Sequence, residues 1–233
     1  MAVKLGEIRT VKGLQVALDG LSGSGKGTAA TGLAAAINLP VFDSGLLYRF
    51  VAYIAVEQGV ELDNESALIE MMDQTINRVT WHSSGLYVQG ENWSARLRSE
   101  EVGAQASRVA KLPEVRKKLL QLQRSIASDG CVMDGRDIGT VVLPEAQAKF
   151  FLTAALRERA RRRWLELRAI SPEVSLDDVV TNLKKRDQQD EQRRHAPLQI
   201  AADAVYIDTT TLRSDEVVDR MLTILRRRKF ILE

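Results

Sequence analysis

Apolar and polar positions along the chain change rhythm several times, and the rhythm predicts an alternation of strands and helices. Gln15 to Asp19 is a short, nearly unbroken apolar run that reads as a buried strand, and Thr28 to Asn38 reads as a helix rich in good helix formers. "LPVFD" looks like a second strand ending at Asp43. From Gly45 to Gln58 the apolar positions recur at three and four, as on an amphipathic helix. Residues 62 to 98 change character: a short acidic helix, "NESALIEMMDQ", precedes "RVTWHSSGLYVQGENW", where a Ser-Ser-Gly turn separates two β-rich runs. A hairpin within an otherwise alternating chain is most simply an inserted subdomain. Helices are expected over Glu100 to Lys111 and Pro113 to Ser128, with Pro113 in the first turn. "CVMDGRDIGTVV" supplies a strand with a polar sequence at its end, and "AKFFLTA" the next strand. The arginine-rich helix "LRERARRRWLELRA", a "SPEVS" break and the charged helix "LDDVVTNLKKRDQQDEQRR" follow, before the strand "AVYIDTT" and a final amphipathic helix over Asp215 to Lys229. This order predicts an α/β fold with a five-stranded parallel sheet flanked by helices, and ligands outside the carboxyl ends of the strands.

Composition narrows the class. With 233 residues and 45% hydrophobic side chains, one substantial core with insertions is expected rather than two domains. The formal net charge of +2 gives no support to a nucleic-acid partner. A single cysteine, Cys131, excludes an intrachain disulfide framework and reads as a buried, apolar-like thiol. No apolar h-region opens the chain and no run approaches ~18 apolar residues, so neither a signal peptide nor a membrane span is indicated. A soluble, cytoplasmic protein is expected.

The candidate chemistry begins with "DGLSGSGKGT". A glycine-rich turn between a strand and a helix points consecutive backbone N–H groups at phosphate oxygens, and the helix N-terminus and Lys26 add positive charge. This is a nucleoside-triphosphate loop, with one irregularity: Gly27 stands where the usual G-x-x-x-x-G-K-[ST] pattern has a hydroxyl. No N-K-x-D guanine reader occurs, and no hydrophobic strand ends in Asp-Glu as in motor ATPases. Transfer to a small acceptor remains. His82 and His195 read as surface or structural residues, so a general base is scarce. A phosphate monoester needs none, since its second pKa lies near ~6. Its difficulty is charge repulsion, which arginines answer. Arg49, Arg136, Arg159, Arg162, Arg163, Arg186 and Arg193 fall at strand ends or on helical faces suited to that task, Arg161 less so.

The motifs "GLSGSGKGT", "FDSGLLYR", "MDGRDIGTVVLPEA", "LRERARRRWLEL" and "LKKRDQQDEQRRHAPL", in this order and spacing, resemble the bacterial cytidylate kinases. The resemblance runs from about Val16 to the C-terminal helix and is weakest in the insert. It implies a nucleoside monophosphate kinase fold and ATP-dependent phosphorylation of CMP and dCMP to the diphosphates. It also implies a core of about 14–58, 113–165 and 195–233, a monophosphate-binding insert of about 59–112 and a mobile lid of about 166–194. Gly20, Leu21, Ser22, Gly23, Ser24, Gly25, Lys26, Gly27 and Thr28 would hold ATP phosphates. Ser44, Tyr48 and Arg49 would line the monophosphate pocket, and Arg136 would also touch the acceptor phosphate. Ser107, Arg116 and Asp137 match cytosine-reading positions; Arg186, Asp190 and Arg193 match ribose and phosphate contacts. Arg162 and Arg163 would gather at the transferring phosphoryl group. Taken alone, Ser107 also fits a helix-packing residue and Tyr48 a core aromatic. Mg²⁺ would be held mainly by ATP oxygens and waters, with Thr28 assisting directly or through water. Leu21 and Ile200 stand where relatives often have proline. A monomer with no nucleic-acid or membrane partner is implied. Two other readings stay open: a small P-loop kinase acting on another monophosphate such as UMP or AMP, and a regulatory or nucleic-acid-binding module using "RERARRRW".

Overall fold

The structure, a computed structural model, describes residues 8–82, 85–168 and 172–232. Residues 1–7, read above for an apolar leader, lie outside the described residues. So do Ser83 and Ser84 of the expected hairpin turn, and Ala169 and Ser171 around the expected break.

In chain order the first half comprises β1 (Arg9–Thr10), β2 (Gln15–Gly20), α1 (Lys26–Ile37), β3 (Val41–Asp43), α2 (Gly45–Glu57), α3 (Glu65–Thr75), β4 (Val79–His82), β5 (Gly85–Val88), β6 (Glu91–Asn92) and α4 (Glu100–Val109). The second comprises α5 (Pro113–Ile126), β7 (Cys131–Asp134), a π-helical turn (Ile138–Val142), β8 (Ala148–Thr153), α6 (Leu156–Arg168), α7 (Leu176–Glu191), β9 (Val205–Asp208), α8 (Ser214–Arg227) and β10 (Ile231–Leu232).

The central sheet has five strands, all parallel, in the order β3-β7-β2-β8-β9. β7 and β8 are buried at every position, which is why their sequences show no polar alternation; β9, at one edge, exposes alternate residues. One face of the sheet packs Val16, Leu18 and Phe150 against Leu33 and Ile37 of α1 and Met221 and Leu225 of α8. Phe42, Met133 and Ile138 occupy the other face. A separate apolar cluster joins Phe50 and Val51 of α2 to Leu68, Leu86, Leu97 and Val109, and includes Val115 and Leu119 of α5. A fourth, small cluster pairs Ala160 of α6 with Val179 and Leu183 of α7.

Local signals account for most boundaries. Asn64 and Ser99 accept from Ala67 N–H and Val102 N–H as side-chain caps, and Pro113 opens α5. Asn38 ends α1 in the left-handed region at φ 54°. Three features were not anticipated from the sequence. β6 makes the expected hairpin a three-stranded antiparallel sheet, β1 pairs antiparallel with β10, and "IGTVV" after β7 winds into a π-turn with Val142 N–H on Asp137 O and Leu143 N–H on Ile138 O.

β2 and β8 register so that Gly20 lies opposite Leu152. A Cβ on Gly20 would fall 1.9 Å from the Leu152 carbonyl oxygen, at φ +149°. The P-loop thus leaves its strand through a space that only glycine fits. Gly20→Ala is expected to lower the unfolding free energy by at least about 3 kcal/mol. Gly13→Ala, at φ +69° but with nothing nearby, should cost only about 1 kcal/mol. Urea denaturation of the two variants checks the contrast.

Candidate functional site

The site forms where β2, β3 and β7 end, because all five strands point the same way and their connecting loops converge there. A cavity of about 890 Å³ opens at these ends. Ser22, Gly23, Gly25, Lys26, Gly27 and Thr28 of the loop line it. Gly20, Leu21 and Ser24 do not: Gly20 is pressed on β8, Ser24 is fully buried, and Leu21 offers its carbonyl to Lys26 Nζ at 3.2 Å. Gly23 and Gly25 have φ +75° and +83°, turning the loop's backbone into α1.

Lys26 is buried, and desolvation lowers its pKa, helped by the charge of Arg136. Asp134, at the end of β7, is also buried on the cavity wall, and desolvation together with the neighbouring Asp43 raises its carboxyl. Each favours the charged form of the other. Thr28 is exposed on the same wall. Among the described residues no group of three or more His, Cys, Asp or Glu side chains could hold a metal ion. A cation here therefore needs oxygens from a ligand or water beside those of Thr28 and Asp134.

All ten side chains expected on the monophosphate side line the same cavity. Arg116 and Asp137 form a buried ion pair. The Arg116 guanidinium lies 5.5 Å over the Tyr48 ring and donates to Ala110 O at 3.2 Å. Arg49 Nη1 donates to Leu97 O at 2.7 Å and Ser99 O at 3.0 Å, holding its head group at the start of α4. Asp190 bridges two arginines, accepting from Arg136 Nε at 2.7 Å and Arg193 Nη2 at 2.9 Å. Burial opposes ionisation of Asp190, but Arg136 and Arg193 outweigh it and hold the carboxyl below its usual range. Burial, then Arg136, brings the Arg186 guanidinium down to about 10. Arg186 Nε and Arg193 Nε are buried without a hydrogen-bond partner. Unsatisfied cationic donors on a cavity wall are complementary to an anion. Ser107 lines the cavity with its hydroxyl donating to Gly103 O at 3.0 Å, and Ser44, also a lining residue, is buried.

The arginines of α6 separate. Arg163 lines the cavity and pairs with Glu100 and Glu166. Arg162 does not line it: its Nη2 donates to Thr209 O at 2.6 Å and its Nε to Glu158 at 3.0 Å. Arg159 turns inward, donating to Ser22 O at 3.0 Å and Asp187 at 2.7 Å, and so ties the P-loop to α7. Arg161 is exposed and pairs with Glu158. His82 and His195 are exposed, and burial pushes the Cys131 thiol up to about 12.

Sequence reasoning missed Asp19. It immediately precedes the P-loop, and its carboxylate accepts from Ile138 N–H and Gly139 N–H, both at 2.7 Å. Arg124 holds the other end of the π-turn, donating to Val141 O and Val142 O at 2.9 Å. The loop carrying Arg136 and Asp137 is thereby fixed to the strand that launches the P-loop. The available signal was an acidic residue ending a buried strand, where an unpaired charge would be costly.

The family model described as cytidylate kinase matches residues 16–227. A protein from Stutzerimonas stutzeri (strain A1501), named cytidylate kinase, is 45% identical over 213 residues, covering 89% of this chain and 93% of the relative. A protein of the same name from Desulfitobacterium hafniense (strain Y51) is 44% identical over 217 residues, covering 91% and 93%. The crystal structure of an uncharacterised protein from Eubacterium ventriosum ATCC 27560 matches with TM-score 0.51 at 12% identity, covering 91% of this chain and 98% of that one, a likeness of fold.

Burial raises the Asp19 carboxyl to about 6, against the two N–H groups that favour its anion. A raised carboxyl contributes stability that is fully present below its unfolded value of 3.8 and is lost as pH rises through about 6. Asp19→Asn removes this titration. The unfolding free energy of the native protein relative to that variant should therefore grow as pH falls from about 7 to about 4, by up to about 3 kcal/mol. A difference independent of pH would show that Asp19 does not take up a proton in that window.

Proposed function

The chain belongs to the cytidylate kinase family, and from that premise we propose that it transfers the γ-phosphoryl group of ATP in line to the phosphate of CMP or dCMP, giving CDP or dCDP. One observation carries the assignment of residues. The P-loop and the buried Arg116–Asp137 pair open onto a single cavity, so a triphosphate on one and a base on the other would face each other across the carboxyl ends of the sheet.

On the donor side, the P-loop N–H groups and Lys26 hold the phosphates. A divalent cation accompanies ATP in such a kinase; we assign it as Mg²⁺, with Thr28 and the Asp134 carboxylate placed to hold it directly or through water. When bound, it neutralises phosphate charge. On the acceptor side no base is needed, because a phosphate monoester is substantially dianionic near neutral pH, with a second pKa of about 6. The barrier is repulsion between polyanions, several kcal/mol per charge pair at an effective dielectric near ~20. Arg49, Arg136, Arg186 and Arg193 offset it, and the unpartnered Nε groups of Arg186 and Arg193 fit phosphate or ribose oxygens. Arg163 approaches the transferring group from α6. Arg162 acts on the same side from its seat against Thr209.

Cytosine offers an exocyclic amine and two acceptors. Asp137 takes the amine and Arg116 the acceptors, over the Tyr48 ring and beside Ser107. Uracil would set a carbonyl against Asp137 and leave buried groups unpaired. Asp190, held by Arg136 and Arg193, reads the sugar.

The division into core, insert (about 59–112) and lid (about 166–194) is part of this reading, with α2 and α5 joining the insert's apolar cluster to the core. So are a monomeric state and a cytoplasmic place without nucleic-acid partners. No helix among the described residues is long and apolar enough to cross a membrane.

With CMP, dCMP, UMP, AMP and dTMP supplied together, the cytidine diphosphates should form first; comparable turnover of AMP would overturn the base assignment. Arg49→Ala and Arg136→Ala should each lower kcat/KM for CMP by about a hundredfold or more, and near-native kinetics in both would refute the acceptor pocket. Asp190→Ala should shift the ratio of CMP to dCMP turnover; an unchanged ratio counts against its sugar-reading role.

A further inference from the structure

Glu100 is the first residue of α4, where a carboxylate is ordinarily explained by the helix dipole. Its neighbour Glu101 fits that account: it is exposed and, among the described residues, accepts only from Gln105, at 3.3 Å on its own helix. Glu100 differs. Its Oε1 takes both Nε, at 2.9 Å, and Nη2 of Arg163, on a helix 63 residues further along the chain. These two donors are the edge with which a guanidinium grips a phosphate. The remaining nitrogen, Nη1, donates to Glu166 at 2.8 Å, within α6 itself. The Glu166 pair is local and moves with its helix, whereas the Glu100 pair crosses from α6 to α4. Glu100 also favours the charged forms of Arg49 and Arg186, so it serves three of the arginines assigned to phosphate.

We propose that Glu100 is an internal counter-ion that occupies the phosphate-gripping edge of Arg163 and is displaced from it by the nucleotide phosphates, setting the affinity for ATP. The inference rests on the kinase reading above, in which Arg163 meets the transferring group. The Glu100 side chain is 49% exposed and that of Arg163 26%. Water screens the pair, which bounds the effect and also lets the carboxylate leave into solvent when the arginine is claimed. A carboxylate serving only to brace α4 against α6 would instead support binding, and its loss would weaken the enzyme.

Glu100→Gln separates the two roles, since the amide keeps the size and the helix position and removes the charge. Calorimetry of MgATP binding to the intact protein should give a Kd about two- to fivefold lower than for the native chain. The KM for ATP should fall in parallel, without loss of kcat. In an Arg163→Ala background the same substitution should leave Kd unchanged, as a double-mutant cycle requires of a residue acting through that arginine. Glu101→Gln, one residue away, should leave Kd and KM as in the native protein. A Kd for Glu100→Gln that is unchanged or raised, or an equal gain without Arg163, overturns the proposal. The binding measurement does not depend on the acceptor, so failure of the native enzyme to phosphorylate CMP would overturn the kinase reading while leaving this test separately decidable.

Discussion

One buried carboxylate holds the two halves of the site together. Asp19, the penultimate residue of β2, takes the Ile138 and Gly139 N–H groups at the start of the π-turn. The next residue, Gly20, already belongs to the P-loop. The segment that begins the phosphate cradle and the segment that carries Arg136 and Asp137 therefore share one buried, hydrogen-bonded node. Leaving those two N–H groups unpaired in this interior would cost about 1–3 kcal/mol each, so the node persists although burial disfavours its charge. Arg124 at the far end of the turn removes the remaining freedom.

A second set of ties runs from the P-loop outward. Arg159 joins Ser22 O to Asp187, one residue from Arg186 and three from Asp190. Thr209 Oγ1 lies 2.9 Å from Ser24 O and 3.0 Å from Thr153 O, so its one proton is shared between the two carbonyls, fixing the loop after β9 on the same cradle. The P-loop is thus braced by side chains that do not face the cavity, while those that face it come from the loop, the strand ends and the inward faces of α2, α4, α5, α6 and α7. This division suits transfer between two charged groups, where misplacement by an ångström is costly in rate.

The alternation of elements and the glycine-rich turn were legible because both are local. Fully buried strands announce themselves as apolar runs, and a strand–glycine–lysine–helix sequence has few other uses. The antiparallel pair β1–β10 was not legible, because two-residue strands carry no periodicity and their partners lie at opposite ends of the described chain. "IGTVV" has the β-branched composition of a strand, yet winds into a π-turn because Asp19 and Arg124 claim its backbone groups from outside. The arginines of α6 were legible as a set by helical spacing, but spacing gives a face and not a depth. Arg159 sits at the buried base of the helix, Arg162 turns to Thr209, and Arg163 alone of the three reaches the cavity. Asp19 and Glu100 owe their roles to partners 119 and 63 residues away, which no local pattern records.

These long-range pairs share a logic. Arg116 is paired with Asp137, Arg136 and Arg193 with Asp190, and Arg163 with Glu100. A cavity holding that many guanidinium groups without counter-charges would repel itself open; with them, it keeps its shape. Binding on the proposed reading is then an exchange of carboxylate partners for ligand groups, not a simple addition of attractions. The net gain of any one contact is small, because a good internal bond is relinquished for a good external one. Discrimination follows from that small net gain. A base that fails to satisfy both members of the Arg116–Asp137 pair separates two buried charges without replacing what they lose, and the unpaired remainder is worth more than any single correct contact.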